Sequence, residues 1–210
     1  MTVDGQLSAD KGRFEVVFTN DGKPFGDRTA GAPFNVYAPG LYITADRPDI
    51  MEPLRTWAYG VKPGDTVADA WPLSAFDGSR YHLRVYGPNG FFREFKGDAG
   101  DPAVGISFGY EPSSGGVHPF SGNGVLKLRN NGDACSVMIV DHAYKGEYPA
   151  RHLATGEQTA FTLPLAKNQG WYDFSVLVKG HDGFEARYAG RIETGRDSIS
   201  DPYMGRLQEG

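Results

Sequence analysis

Short stretches of β-branched and aromatic residues, separated by glycine-containing turns, recur along the whole chain of 210 residues. Residues 14–18 carry an apolar side chain at every second position, and residues 81–86 do the same. A period of two is typical of half-buried β-strands and not of helices. Asn-Gly and Asp-Gly pairs, which tolerate the positive φ angles of tight hairpin turns, separate several of these stretches. The pattern predicts an all-β fold.

The second half of the chain repeats the order of residues and turns in the first half. The corresponding positions are 18–22 with 128–132, Gly64 with Gly156, Tyr81 with Tyr172, and the hairpin at 89–91 with that at 182–184. The first copy carries about seven additional residues within 23–33. A match in order, turn type and final hairpin over nearly the whole length indicates an internal duplication.

Each copy contains seven predicted strands, which is the number found in immunoglobulin-like and fibronectin-like sandwiches. We therefore predict two tandem β-sandwich domains of that type, related by internal duplication, over residues 1–102 and 103–210. A jelly roll that spans both halves is the alternative, and the repeat disfavours it. The predicted strands lie at 3–8, 13–19, 33–38, 55–61, 65–71, 80–86 and 91–97 in the first copy, and at 104–109, 124–129, 134–141, 148–154, 158–163, 171–179 and 183–191 in the second.

Composition excludes several classes of function. The net charge is −5 and 22% of the residues are charged, so the surface lacks the basic character that nucleic acids or anionic membranes attract. Cys135 is the single cysteine, which rules out an intramolecular disulfide. No apolar run is long enough for a membrane span. Residues 1–5 do not resemble a signal peptide, so the signal of an exported parent protein is expected to lie outside this chain.

One formal match to a catalytic motif is present, and its context argues against it. Residues 105–109 fit the G-x-S-x-G pattern around Ser107. A nucleophile elbow needs a helix immediately after the serine. The following residues 110–116 contain proline, two serines and two glycines and cannot begin a helix. We interpret 105–109 as a strand with two core side chains.

Metal binding is also disfavoured, and no cofactor is predicted. The five histidines lack the i, i+4 spacing of a helical zinc site; they are His82, His118, His142, His152 and His181. Asp197 and Asp201 lack the spacing and ligand density of a calcium loop. We expect these two carboxylates to cap turns.

Aromatic residues are the remaining candidates for a binding surface. Trp57, Tyr59, Trp71 and Phe76 cluster in the first copy, and Phe91 and Phe92 lie at a hairpin. Burial in the sandwich core is the favoured interpretation. Since Phe91 and Phe92 point to opposite faces, one of them is expected at the surface. The candidate surface contacts are Phe91, Phe92 and Trp57.

Four stretches carry a resemblance to a known family. The last strands read GWYDFSV at 170–176, GFE at 183–185 and YAGRIETGRDSISDP at 188–202, and the first copy reads YGPNGFFR at 86–93. These stretches resemble the C-terminal region of bacterial phosphocholine-specific phospholipase C of the non-haemolytic type. In that family a tandem pair of such domains follows a large catalytic domain related to alkaline phosphatase. The segment 13–61 matches less clearly.

The resemblance implies that no catalytic residue lies in this chain, because the catalytic residues of the family belong to the preceding domain. It implies a non-catalytic accessory region that packs on the catalytic domain and helps it to dock at phospholipid surfaces. The parent enzyme would be an exported, periplasmic or secreted hydrolase of phosphatidylcholine or sphingomyelin, and Met1 would mark the start of a piece of it. A carbohydrate-binding module is the alternative function, and it requires coplanar, exposed rings among Trp57, Tyr59 and Trp71. A purely stabilising role stays open.

Overall fold

The computed structural model describes residues 1–44, 46–115, 118–197 and 199–203, and these residues form fourteen strands and five single-turn 3₁₀ segments. The strands of the first half are β1 (Thr2–Leu7), β2 (Arg13–Asn20), β3 (Ala32–Thr44), β4 (Arg47–Val61), β5 (Asp65–Pro72), β6 (Tyr81–Tyr86) and β7 (Phe92–Gly97). Those of the second half are β8 (Val104–Pro112), β9 (Phe120–Asn130), β10 (Cys135–Asp141), β11 (Arg151–Leu153), β12 (Gln158–Leu163), β13 (Trp171–Val178) and β14 (Glu185–Arg191). The prediction of an all-β fold is confirmed.

The strands form one large and two small antiparallel sheets. The small sheets have the orders β1-β2-β5 and β12-β9-β8, and the large sheet has the order β11-β10-β13-β14-β7-β6-β3-β4. Each half thus contributes three strands to a small sheet and four to the large sheet, in the same order. The fourth strand of each half pairs with the third, unlike the immunoglobulin constant arrangement, in which it joins the first, second and fifth. Duplication and the boundary at residue 102, which lies between β7 and β8, stay predictions.

The last strands of the two halves pair with each other. β7 and β14 are antiparallel over five residue pairs, from Lys96 opposite Glu185 to Phe92 opposite Ala189. The large sheet therefore runs without interruption through both halves. This pairing removes two strand edges that would otherwise expose unpaired backbone groups.

Both small sheets cover the same face of the large sheet. Phe14 of β2 stacks on Tyr81 at 4.1 Å between ring centres and lies 5.4 Å from Phe95 of β7. Phe108 of β8 lies 5.9 Å from Tyr188 of β14, on the same side. The buried apolar side chains of β6 and β13 also point to this side, as their period of two predicts. The opposite face of the large sheet carries no second layer among the described residues.

The second strand of each half ends at a buried asparagine. Asn20 ends β2 and Asn130 ends β9, and both are at most 5% exposed. Their carbonyl oxygens accept hydrogen bonds from the amides of Gly64 (2.7 Å) and Gly156 (2.9 Å). Both glycines have positive φ angles, of 79° and 77°, a conformation that glycine adopts without steric cost. The positions paired by the sequence repeat therefore have the same local structure.

The strands differ from the predicted bounds mainly at β3 and β4. Both are longer than predicted, because residues 41–44 of β3 pair with residues 47–53 of β4 beyond the part of β3 that pairs with β6. We call residues 39–44 and 46–54 the β3–β4 ribbon. A bulge between Ala38 and Leu41 separates it from the sheet. In contrast, the strand predicted at 148–154 is reduced to Arg151–Leu153.

Candidate docking surface

The three candidate surface contacts occupy different environments. Phe91 is 3% exposed and packs between Phe34, at 5.7 Å between ring centres, and the guanidinium of Arg93, at 4.0 Å. The prediction of a surface contact at Phe91 is therefore wrong, because the hairpin turns this ring into the core. Phe92 points to the uncovered face and is partly exposed, 5.0 Å from Tyr86. Trp57 is partly buried on the core side.

The rings required for a carbohydrate platform are neither coplanar nor jointly exposed. Trp71 is 2% exposed, and its plane is inclined by 71° to that of Trp57. Tyr59 stacks on the buried Phe18 and donates a hydrogen bond to Asp69. The predicted alternative of a sugar-stacking surface formed by these rings is wrong, since their large areas fill the core of the first half.

Ser107 lies in the middle of β8, flanked by the buried Ile106 and Phe108. The strand interpretation of residues 105–109 is thus confirmed, and the strand continues to Pro112 where a nucleophile elbow would need a helix.

The polar candidates take part in local hydrogen bonds. His82 contacts Glu94 at 2.7 Å and His142 contacts Ser175 at 2.7 Å. Asp201 accepts a hydrogen bond from the amide of Tyr203, as expected of a turn-capping carboxylate. Across the described ranges, no three His, Cys, Asp or Glu side chains are grouped so as to hold a metal ion. Ser198, which lies between Asp197 and Asp201, falls outside the described residues.

The uncovered face of the large sheet carries a continuous row of side chains across seven strands. The residue register places Thr56, Tyr37, Arg84, Glu94, Arg187, Ser175 and Val140 side by side, in this order. Along the row, an aromatic part lies in the first half, a charged centre lies where β7 and β14 pair, and Val140 stands at the end in the second half.

The aromatic part is formed by three rings. Tyr37 lies 5.4 Å from Tyr86, with the two rings perpendicular, and Tyr86 lies 5.0 Å from Phe92. Tyr86 is 44% exposed. We call Tyr37, Tyr86 and Phe92 the outer aromatic cluster. Aromatic side chains that stand together on an uncovered sheet face are typical of protein contact surfaces.

The charged centre surrounds Glu94, which is only 2% exposed although it lies on the uncovered face. Its Oε1 accepts hydrogen bonds from Arg84 and contacts His82, both at 2.7 Å, and Lys96 lies 3.6 Å from its other oxygen. Burial by itself raises the pKa of this carboxyl, but the hydrogen bonds from His82 and Arg84 and the charges of Lys96 and Arg84 outweigh it and lower the pKa to about 2. Glu94 is therefore an ionised acceptor fixed by its neighbours.

The charged centre extends into the second half through pairs that cross from one strand to the next. Lys96 of β7 pairs with Glu185 of β14 at 2.7 Å, and Glu185 accepts a hydrogen bond from Ser175 of β13 at 2.5 Å. Arg187 of β14 donates two hydrogen bonds of 2.8 Å to the carboxylate of Asp173 on β13. These cross-strand pairs hold the centre of the face in one arrangement.

The β3–β4 ribbon extends the same face with aliphatic side chains. Leu41 lies opposite Pro53, and Ile43 lies opposite Met51, on the side away from the core. Leu41 and Met51 are each 42% exposed, and Leu54 is 55% exposed with a φ of 58°. A positive φ is uncommon for leucine. On the core side the ring of Tyr42 anchors the ribbon. Its centre lies 5.1 Å from the ring centres of both Trp57 and Phe76.

Sequence reasoning missed the outer aromatic cluster and the ribbon. The signal for Tyr86 was present, since the period of two that buries Tyr81 and Val85 also places Tyr86 on the opposite face. No comparable local signal identified Tyr37 or the ribbon, because their positions depend on the pairing of β3 with β4 and β6. None of the helices in the described parts of the chain has the length and apolar character needed to cross a membrane.

The fold and this face define an all-β protein in which one eight-stranded sheet is covered on one side and presents an ordered surface on the other. The family model described as bacterial phospholipase C, C-terminal domain, matches residues 2–98 and 104–191. The chain belongs to this family.

Curated relatives agree with this family. The chain is 34% identical over 207 residues to the non-hemolytic phospholipase C of Burkholderia pseudomallei, covering 95% of this chain and 26% of the relative. It is 31% identical over 199 residues to the non-hemolytic phospholipase C of Pseudomonas aeruginosa, covering 90% and 25%. It is 30% identical over 205 residues to the hemolytic phospholipase C of the same organism, covering 92% and 27%. The chain thus spans about a quarter of the length of these relatives.

Proposed function

We propose that this chain is a non-catalytic accessory region of a phosphocholine-specific phospholipase C and that it packs on the catalytic part of such an enzyme. The observation that carries the proposal is the uncovered face of the eight-stranded sheet, with the outer aromatic cluster beside the fixed charged centre. A protein contact core rich in aromatic rings and rimmed by paired charges is the usual composition of a stable interface. The relatives extend well beyond the matched region, which supplies a partner of the required kind.

The experiment measures binding between this chain and the part of the Burkholderia pseudomallei relative that lies outside the match, by isothermal titration calorimetry. We expect binding that weakens at least tenfold when Tyr86 and Phe92 are both changed to Ser. Val17→Ser is the matched control, since Val17 is 37% exposed on β2, away from the uncovered face. Absence of binding, or equal binding by the double variant, would count against this packing surface.

The non-catalytic part of the proposal has a separate test. The chain should not hydrolyse a chromogenic phosphocholine ester or a short acyl ester. Turnover that disappears in Ser107→Ala would overturn the assignment of residues 105–109 as a plain strand. As a region of an exported enzyme, the chain would act in the periplasm or outside the cell.

Docking of the region at a phospholipid surface is a second proposed role, and the exposed aliphatic side chains of the β3–β4 ribbon favour it. Leu41, Met51 and Leu54 present apolar area on an element that is anchored from behind by Tyr42. Sedimentation with phosphatidylcholine vesicles tests this role: the chain should bind, and Leu41→Ser combined with Met51→Ser should reduce the bound fraction at least threefold. Binding that does not respond to the ribbon variants would exclude this element as the lipid contact.

A further inference from the structure

A cavity of about 530 Å³ lies at one end of the molecule, where the first half meets the second. The additional residues of the first copy form one wall, with Phe25 and Arg28, and the second half forms the other, with Tyr110, Phe120 and Glu193. Its volume falls in the range of roughly 300–1,000 Å³ typical of small-molecule pockets, which often lie between two packed units.

Three rings stand together at the cavity. Phe120 lies 5.1 Å from Tyr110, with perpendicular planes, and 5.9 Å from Phe25 in an edge-to-face arrangement. The hydroxyl of Tyr110 donates a hydrogen bond of 3.3 Å to the carbonyl oxygen of Arg191. A Cβ atom at Gly195 would lie 3.2 Å from the ring of Phe25. Because Gly195 has no side chain, the ring of Phe25 can lie this close to the second half.

Two carboxylates, Asp21 and Glu193, line the same cavity. Asp21 accepts a hydrogen bond of 3.0 Å from the amide of Lys23, and Glu193 accepts one of 3.4 Å from Asn89. Neither carboxylate forms a salt bridge with a side chain among the described residues. Arg28 is exposed at the rim.

Met1 also lines the cavity, and neighbouring charges act on its α-amino group. Burial lowers the pKa of this amino group, and the charge of Arg93 lowers it further. The carboxylates of Asp21 and Glu193 act in the opposite direction and favour a positive charge there. The two carboxylates thus provide negative charge on one side of the cavity, which an ammonium group could approach.

We propose that this cavity is a binding site for a small organic cation that carries apolar substituents on its nitrogen. The rings of Phe25, Tyr110 and Phe120 contact the apolar substituents and interact with the charge through their faces. Asp21 and Glu193 supply the opposite charge. The combination of rings and carboxylates distinguishes this ligand class from two others. A metal ion would need more oxygen ligands than the cavity offers. A neutral apolar molecule would gain nothing from the carboxylates.

The test is a titration of the ¹⁵N-labelled chain with tetramethylammonium chloride, followed by the amide chemical shifts of residues 25–31 and 193–195. Sodium chloride and tert-butanol at equal concentrations are the controls for ionic strength and for apolar binding. We expect saturable shifts with tetramethylammonium alone. Shifts of equal size with tert-butanol, or none with tetramethylammonium, would overturn the proposal.

Two variants locate the binding site in the cavity. Glu193→Gln and Phe120→Leu should each weaken tetramethylammonium binding at least fivefold while the rest of the spectrum is retained. Glu157→Gln and Phe161→Leu, the same changes outside the cavity lining, should leave it unaltered. Equal affinities in all four variants would contradict the assignment.

Discussion

Arg93 of β7 lies directly opposite Tyr188 of β14, at the line where the two halves share one sheet. Its guanidinium carbon is 4.9 Å from the centre of the Tyr188 ring and 4.0 Å from that of Phe91, and the residue is 1% exposed. The same group donates hydrogen bonds to Tyr172 and to the carbonyl oxygen of Ala189. A buried cation thus connects both halves through rings and hydrogen bonds.

Replacement of Arg93 should destabilise the whole chain. Arg93→Ala removes the hydrogen bonds to Tyr172 and Ala189 of the second half and the contacts of the guanidinium with the rings of Phe91 and Tyr188. We expect the free energy of unfolding to fall by about 3–5 kcal/mol, because two hydrogen bonds from a charged donor are lost, each worth about 1.5–3 kcal/mol. Urea unfolding measures this change. Arg129→Ala, at an exposed position, is the control; a fall of under about 1 kcal/mol for Arg93→Ala would contradict this role.

Because of Asp4, the free energy of unfolding should fall as the pH rises. A carboxylate in an ordinary ion pair has the opposite effect. Burial raises the pKa of its carboxyl to about 6, although Arg93 and a hydrogen bond from the amide of Phe108 oppose the rise. Between pH 4 and 6 the native state therefore holds a proton that the unfolded state has released, so the free energy of unfolding falls as the pH rises, by roughly 2–3 kcal/mol at most.

Asp4→Asn tests this dependence, because an amide of similar shape does not titrate. The variant should be more stable than the parent chain at pH 7, and its stability should change less between pH 4 and 6 in urea unfolding. Asp182→Asn, at an exposed turn, should keep the parent profile. Identical pH profiles for Asp4→Asn and the parent chain would show that Asp4 titrates normally.

Glu94 should contribute stability that is lost in acid. Because its pKa is lowered to about 2, its contribution is complete above the ordinary value of 4.5 and disappears as the pH falls from 4.5 towards 2. Glu94→Gln should lower the free energy of unfolding at pH 7 by about 2 kcal/mol, since charged hydrogen bonds are lost. The difference between the two proteins should shrink by pH 2.5. A constant difference across this range would contradict the assignment.

Asn20 and Asn130 should contribute equally and independently. The Asn20 side chain donates hydrogen bonds to Ala30 (3.0 Å) and Val61 (3.2 Å), and that of Asn130 donates to Leu153 (3.1 Å) among others. Asn20→Ala and Asn130→Ala should each lower the free energy of unfolding by about 1–3 kcal/mol. The double variant should lose the sum within about 0.5 kcal/mol in urea unfolding. A neutral effect at either position would show that the two halves do not use this residue alike.

Local sequence signals predicted most of the strands and their buried faces. The alternation in residues 14–18 and 81–86 and the glycine-containing turns act over a few residues, so they are legible without tertiary information. The candidate surface was predicted less well. Phe91 and Phe92 were correctly assigned to opposite faces, yet only the packing of Phe91 against Phe34 and Arg93 decided which one is buried.

The amino-acid sequence by itself determined the all-β class, the equivalence of positions such as Gly64 and Gly156, and the family. Only the tertiary structure decided that β7 pairs with β14, that one face of the resulting sheet stays uncovered, and that residues within 24–32 line a cavity together with the second half. The physical reason is the range of the interactions. Alternation and turn chemistry are properties of neighbouring residues. Edge pairing and cavities instead arise between segments that are distant in sequence, because their unpaired backbone groups and apolar faces complement each other.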